Sequence, residues 1–386
     1  DIQGQTQTGT PSFTPGNPAI PMDDDVPATF EDGSTTKVIP GEGTYTVAPD
    51  GTVTFVPEKS FTGTGTGVTV KRVDKNGTQV TATYTPTVTP VTPTAEPAIS
   101  TDIQGATQTG KPEFTEGDSR VPMNDEVPAT FDDGSTTKTV EGVGTYTVAA
   151  DGTVTFVPEK SFVGTAPAVT VVREDKNGTK ASATYTPTVT PVTPTASPAV
   201  STDVQGATQT GKPVFTEGDS RVPMNDDVPA TFDDGSTTKT VEGVGTYTVA
   251  PNGTVTFVPE KSFVGTAPVV TVVREDKNGT KASATYTPTV TPVTPTAEPV
   301  TSTDIQGKTQ TGTPSFTPGN PSVPMDDDVP ATFEDGSTTK VIPGEGTYTV
   351  SPDGTVTFVP EKSFTGTGTG VTVKRVDKNG TPITAT

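Results

Sequence analysis

Gly43-Thr-Tyr-Thr-Val-Ala-Pro-Asp-Gly-Thr-Val-Thr-Phe-Val-Pro57 decides the architecture. Tyr45 and Val47 alternate with Thr44 and Thr46, and Val53 and Phe55 alternate with Thr52 and Thr54. A period of two sends Tyr45, Val47, Val53 and Phe55 to one face of two strands. Asp50-Gly51 between them is a strong tight-hairpin signal. A second hairpin is expected from Val68–Val73 and Thr78–Tyr84, joined by Asp74-Lys75-Asn76-Gly77. Shorter strands are expected near Gly9–Phe13, Val26–Phe30 and Thr35–Ile39, and a tail strand runs to about Val91. That makes seven or eight strands with turns every 8–12 residues, the spacing of a β-sandwich. No stretch carries the 3.6-residue period, Leu is absent, and 24 of the first 101 residues are Thr, so the chain reads as all-β.

The pattern then repeats. Asp1-Ile-Gln-Gly recurs at Asp102 and Asp304, and as Asp203-Val-Gln-Gly, each 101 residues after the last. Such a period is too long for a solenoid and is the size of an independent domain. Four repeats are expected: 1–101, 102–202, 203–303 and 304–386, the last without its C-terminal connector. Repeats 1 and 4 share Phe-Thr-Pro-Gly-Asn-Pro from Phe13 and Phe316, whereas repeats 2 and 3 share Phe-Thr-Glu-Gly-Asp-Ser-Arg from Phe114 and Phe215. The tail Tyr84-Thr-Pro-Thr-Val-Thr-Pro-Val-Thr-Pro-Thr-Ala-Glu-Pro97 joins one repeat to the next. Its four prolines predict an edge strand passing into extended, polyproline-like backbone. The expected whole is a tandem array of four Ig-like β-sandwiches, joined by Pro/Thr-rich connectors into an elongated rod.

Composition narrows the chemistry. With no His and no Cys among 386 residues, His-dependent triads, nucleophilic thiols and the usual zinc or haem ligands are excluded. A net charge of −21 argues against a nucleic-acid surface and against a polybasic membrane contact. No apolar run is long enough to insert in a membrane, and no secretory signal opens at Asp1, so the sequence reads as an excerpt of a longer protein. No catalytic, cofactor-binding or metal residue is expected, no cofactor, and no enzyme activity.

The remaining motifs have plain explanations. Asn76, Asn177, Asn252, Asn278 and Asn379 open Asn-Gly-Thr sequons. The counterparts of Asn252 are Asp50, Asp151 and Asp353, so the turn is what that position requires. The acidic run Met22-Asp-Asp-Asp-Val26 with Glu31-Asp32, and its counterparts at Asn124–Glu126, Asn225–Asp227 and Asp326–Asp328, offer oxygen ligands. Their spacing fits no known calcium loop, and they read as solvated acidic loops. Lys37, Lys59 and Lys75 recur in every copy. Of these only Lys37 is placed where a Lys–Asn or Lys–Asp crosslink is conceivable, since Lys75 lies in a turn and Lys59 beside Pro57-Glu58.

Taken together, Asp-Ile-Gln-Gly-x-Thr-Gln-Thr-Gly, Val26-Pro-Ala-Thr-Phe30, Gly-Thr-Tyr-Thr-Val…Gly-Thr-Val-Thr-Phe-Val-Pro and the 101-residue period resemble the CshA-type fibril repeat of streptococcal surface adhesins. The resemblance spans the chain. It implies stalk repeats of a cell-wall-anchored fibrillar adhesin on the extracellular surface of a Gram-positive bacterium, projecting a distal ligand-binding region. The alternative is that the repeats themselves are multivalent adhesive modules for a host or bacterial partner. Expected partners are neighbouring repeats of the same chain, with any host-matrix ligand bound mainly outside residues 1–386.

Overall fold

The computed structural model describes every residue from Asp1 to Thr386, and all its regular elements are strands. The chain falls into two compact units, Asp1–Pro191, with repeat 1 and most of repeat 2, and Val192–Thr386, with the last eleven residues of repeat 2 and repeats 3 and 4.

Repeat 2 shows the sandwich most fully. One sheet is antiparallel, in the order Gln108–Gly110, Val154–Pro158, Gly144–Val148, Thr137–Val140. The quoted hairpin forms its centre. In repeat 1 Tyr45 lies opposite Phe55 and Val47 opposite Val53, and all four side chains are buried. Burial of alternate residues leaves the threonines between them more exposed, as a one-sided sheet requires. In repeat 2 the Tyr146 and Phe156 rings stand 4.7 Å apart, tilted by 34°. Gly152 closes their turn at φ +93°, a conformation glycine adopts without steric cost.

The second sheet runs Ala98–Ile103, Lys180–Thr190, Val169–Glu174, Thr130–Phe131, with Gly164–Thr165 also on Lys180–Thr190. Tyr185 and Val189 of its longest strand point into the core with Val169, Val171 and Phe131. Tyr185 reaches across the sandwich to the other sheet: a Cβ on Gly110 would lie 2.1 Å from its ring. Only glycine leaves room for the ring there. Repeat 3 reproduces both sheets and the same buried cluster.

One expectation is corrected. The proline-bearing tail is not an edge strand in repeats 2 and 3. Lys180–Thr190 includes Pro187 yet lies inside its sheet, parallel to Ala98–Ile103 on one side and antiparallel to Val169–Glu174 and Gly164–Thr165 on the other. The carbonyl of Pro187 accepts from the N–H of Ala166 at 2.9 Å. In a strand the N and O of one residue point to the same side, so the ring nitrogen faces the same way. That is where the antiparallel ladder passes from one short partner to the next, and no donor is needed.

Strand pairing also ties the end of each 101-residue count to the next sandwich. Thr94–Glu96 pairs with Glu113–Thr115, and Ala98–Ile103 with Lys180–Thr190. Between repeats, Val91 and Pro93 of the connector are buried. A Cβ on Gly117 would meet the Thr92 carbonyl at 2.4 Å, so the connector lies flat on the repeat that follows it.

Candidate functional site: the junction between consecutive repeats

Polar groups converge where two repeats of one unit meet, and two tetrapeptide turns make the contact. In repeat 1 the turn after Ile2 is closed by a bond from the Gln5 N–H to the Ile2 carbonyl, with Gly4 at φ +83°. Gln3 is buried and held from three sides. Its backbone N–H donates to the Thr89 carbonyl at 2.8 Å, its Nε2 donates to the Lys59 carbonyl at 2.8 Å, and its Oε1 accepts from the Val91 N–H at 3.2 Å. The Gln3 carbonyl is left facing outward.

Repeat 2 answers with the turn Asp175-Lys176-Asn177-Gly178. Asp175 Oδ1 accepts the N–H groups of Asn177 and Thr179, both at 2.9 Å, an Asx arrangement that presets the turn. Asn177 Nδ2 then donates to the Gln3 carbonyl of repeat 1 at 3.0 Å. A Cβ on Gly4 would stand 2.1 Å from Asn177 Oδ1, so a glycine is needed for this approach as well as for its φ. Arg120 of repeat 2 adds an ion pair to Asp1 at 3.1 Å. Both partners are well exposed, so that pair contributes at most about 1 kcal/mol. Asp175 is fully buried, whereas its counterpart Asp74 in repeat 1 is half-buried. Its second oxygen, Oδ2, has no hydrogen-bond partner, and burying it offsets part of what the junction's hydrogen bonds contribute.

The same junction joins repeats 3 and 4. Asn379 Nδ2 donates to the Gln205 carbonyl at 2.8 Å, and a Cβ on Gly206 would lie 2.1 Å from Asn379 Oδ1. Ser322 occupies the Arg120 position, so this junction lacks that cation. Sequence reading treats these asparagines as turn residues and misses the bond they make to the preceding repeat. The available signal was the difference between the two hairpins. The first accepts Asp or Asn, whose side-chain oxygen takes the N–H two residues on in either case, as at Asp151 and Asn252. The second reads Asn in all four copies.

The other singled-out residues are dispersed. In the acidic run Asp23 and Asp25 both accept from Lys75 Nζ, at 2.6 and 3.0 Å, and Asp24 accepts from Arg72 at 2.7 Å. Hydrogen bonding from Lys75 holds the Asp23 carboxyl below its ordinary range. Asp23 and Asp25 therefore share Lys75 while Asp24 turns to Arg72, and the three carboxylates do not face one centre. Lys37 is exposed on the outer strand Thr36–Ile39, and its counterpart Lys138 pairs with Asp132 at 3.1 Å. Lys59 is exposed, and its carbonyl serves Gln3.

One buried polar device differs between copies. In repeats 1 and 4 the core tyrosine hydroxyl donates to a glutamate, Tyr45 to Glu42 and Tyr348 to Glu345. Burial alone would raise the Glu42 pKa. Hydrogen bonds from Tyr45 and from the Thr66 N–H and hydroxyl outweigh it and hold the carboxyl below its ordinary value. In repeats 2 and 3 valines stand in the glutamate's place, Val143 and Val244, and the hydroxyl donates to the carbonyls of Pro167 and Pro268 at 2.7 and 2.6 Å. Burial pushes the Tyr146 phenol up to about 12. Gly65 belongs to the first arrangement: a Cβ there would stand 2.7 Å from the Tyr45 hydroxyl, and repeat 2 has Ala166 instead.

Tandem all-β sandwiches linked by turn-to-turn contacts define a tandem-repeat protein of the β-sandwich class. The family described as the surface adhesin CshA repetitive domain matches residues 1–88, 90–189, 191–290 and 292–386, and the chain belongs to it. The NMR structure of repeat domain 13 of the fibrillar adhesin CshA from Streptococcus gordonii is 66% identical, covering 18% of this chain and 91% of that one, with a TM-score of 0.13. The protocadherin gamma B7 extracellular cadherin domains 1–4 are 10% identical over 95% of this chain and 90% of that one, TM-score 0.29. The human desmocollin-1 ectodomain is 12% identical over 99% and 75%, TM-score 0.23. No curated protein sequence matches the chain.

Proposed function

We propose that these repeats are the structural stalk of a wall-anchored fibrillar adhesin and hold a distal ligand-binding region away from the cell. The observation that carries this reading is the junction. Each Asn-to-carbonyl bond within a unit, Asn177 to Gln3 and Asn379 to Gln205, spans 174 residues and joins the same two turns. A contact this small is weak between free molecules. Between tethered neighbours, with effective concentrations of the order of millimolar, it favours one arrangement over many. The packed connector at Val91–Pro93 removes further freedom. Excess negative charge disfavours folding back and lateral clumping. The reading assigns no catalytic step to the chain.

Small-angle X-ray scattering on the chain tests it. Four sandwiches end to end, each of the order of 40 Å, give a radius of gyration of about 46 Å. A compact globule of this length gives about 21 Å and an unfolded chain about 70 Å. A value near 46 Å with a rod-like cross-section supports the stalk, and either extreme overturns it. If the repeats are instead multivalent adhesive modules, removing them one at a time lowers avidity while the distal region's own affinity is unchanged.

A further inference from the structure

In repeat 2 the first long strand and the last strand are neighbours, and they are parallel. Ala98 is in register with Tyr185, and the pairing runs without a break to Ile103 and Thr190. Repeat 3 repeats it from Ala199 with Tyr286 to Val204 with Thr291. The ladder extends one bond beyond each strand, from the Gln104 N–H to the Thr190 carbonyl and from the Gln205 N–H to the Thr291 carbonyl, both 2.8 Å. Every other pairing in this sheet is antiparallel.

Parallel order decides how a pull is felt. The chain enters repeat 2 at the N-terminal end of Ala98–Ile103, after the short lead-in Thr94–Glu96, and leaves at the C-terminal end of Lys180–Thr190. Tension along the chain drags these two strands in opposite directions along their own axes. All the bonds between them are then sheared together. Had the two strands been antiparallel, entry and exit would lie at the same end and the bonds would break one after another.

We infer that the parallel pair of first and last strands in repeats 2 and 3 is a tension-bearing clamp, so that each sandwich resists pulling along the chain far more than pulling across the pair. Side chains block slippage. Ser100 Oγ lies 2.6 Å from the Tyr185 hydroxyl and donates to Gln108 Oε1 at 2.6 Å. Gln108 Nε2 in turn donates to the Thr188 carbonyl at 3.0 Å, and Thr190 Oγ1 donates to the Asp102 carbonyl at 3.3 Å. The Tyr185 ring is seated over Gly110, and a one-residue slip would send it to the opposite face. Pro187 leaves the clamp intact because its missing N–H lies on the side away from Ala98–Ile103.

This deepens the stalk reading and rests on it for its biological sense, because a stalk under flow is loaded from its ends. The test reads the sandwich alone. The chain has no Cys, so two can be placed freely for single-molecule pulling in optical tweezers. Thr92→Cys with Pro191→Cys loads the pair in shear. Thr107→Cys with Pro191→Cys pulls from the same end of both strands and peels them apart. All three positions are exposed. The expected unfolding force is at least about twofold higher in shear than in peel, because the ladder bonds share the load. Ser100→Pro, which removes a ladder donor and the hydroxyl, is expected to lower the shear force and leave the peel force within error. Equal forces in the two directions overturn the clamp, with or without a folded S100P variant. Scattering near 21 Å with a strong shear-to-peel difference would overturn the stalk and leave the clamp standing.

Discussion

Repeats 2 and 4 share their strand grammar, but residues 1–386 include Tyr185–Thr190 in repeat 2 and not its counterpart in repeat 4, so comparing them isolates what that segment holds in place. In repeat 2 the Tyr185 ring fills the space above Gly110. In repeat 4 the described residues end at Thr386, the counterpart of Thr184, and above Gly312 stands Val300, 3.1 Å from where a Cβ would be. The strand that Ala98–Ile103 forms has no counterpart at residues 301–305, and neither does Gly164–Thr165 at 366–367. Val154 and Phe156 are fully buried in repeat 2, while Val356 and Phe358 are only half-buried. One six-residue stretch, Tyr185–Thr190, thus holds two other strands in place as well as plugging the core. The antiparallel sheet of repeat 4 keeps all four strands without it, Gln310–Gly312, Val356–Pro360, Gly346–Val350 and Thr339–Ile342.

The largest effect is expected from moving one repeat toward the other. Tyr185→Ala should destabilise repeat 2 by about 3–5 kcal/mol, the range for truncating a large buried aromatic. Hydrogen exchange followed by mass spectrometry should show residues 98–103 losing protection while 144–158 lose less. Conversely, appending Tyr-Thr-Pro-Thr-Val-Thr after Thr386 should create protection at residues 300–305. Unchanged protection in both experiments would mean that Tyr185–Thr190 does not hold Ala98–Ile103 in place.

A smaller effect, dependent on pH, follows from the core tyrosine's partner. The Glu42 and Glu345 carboxyls are held below their ordinary value near 4.5 in the folded state. A depressed folded pKa means that the stabilisation is complete above the unfolded pKa and is lost as pH falls through the folded one. Repeats 1 and 4 should therefore weaken below about pH 4.5, and repeats 2 and 3, with Val143 and Val244, should lack this component. Acid titration followed by NMR reads each repeat separately. Glu42→Val with Gly65→Ala and Thr66→Pro should give repeat 1 the acid profile of repeat 2.

The smallest effect separates two asparagines. Asn177→Asp keeps the turn but sets an acceptor against the Gln3 carbonyl, and should weaken the junction by about 1 kcal/mol. Asn252→Asp should change stability by less than about 0.5 kcal/mol, since Asp stands there in the other copies. Fluorescence energy transfer between labels on repeats 1 and 2 should broaden only for the first. Broadening for neither would mean that the junction does not orient its repeats.

Much of this was legible in the chain. Alternation placed Tyr45, Val47, Val53 and Phe55 on one face, and all four are buried there. Asp-Gly and Asn-Gly marked both hairpins, and there the glycine alone takes the left-handed conformation, Gly51 at φ +92° and Gly77 at φ +81°. The short strands came out within a few residues, as at Thr36–Ile39. The proline-bearing tail was misplaced, since proline bars a strand interior only where its missing donor has a partner to serve. Pro187 meets no such partner.

Which residues are apolar, which form turns, and the 101-residue recurrence are all written along the chain, because they are properties of near neighbours. The pairing of Ala98 with Tyr185 and the meeting of Asn177 with Gln3 come from the folded sandwiches. A strand's pattern names the face it buries but not the strand it will lie against. That choice belongs to the closure of the whole sandwich, where the last strand must fit between neighbours already set by the rest.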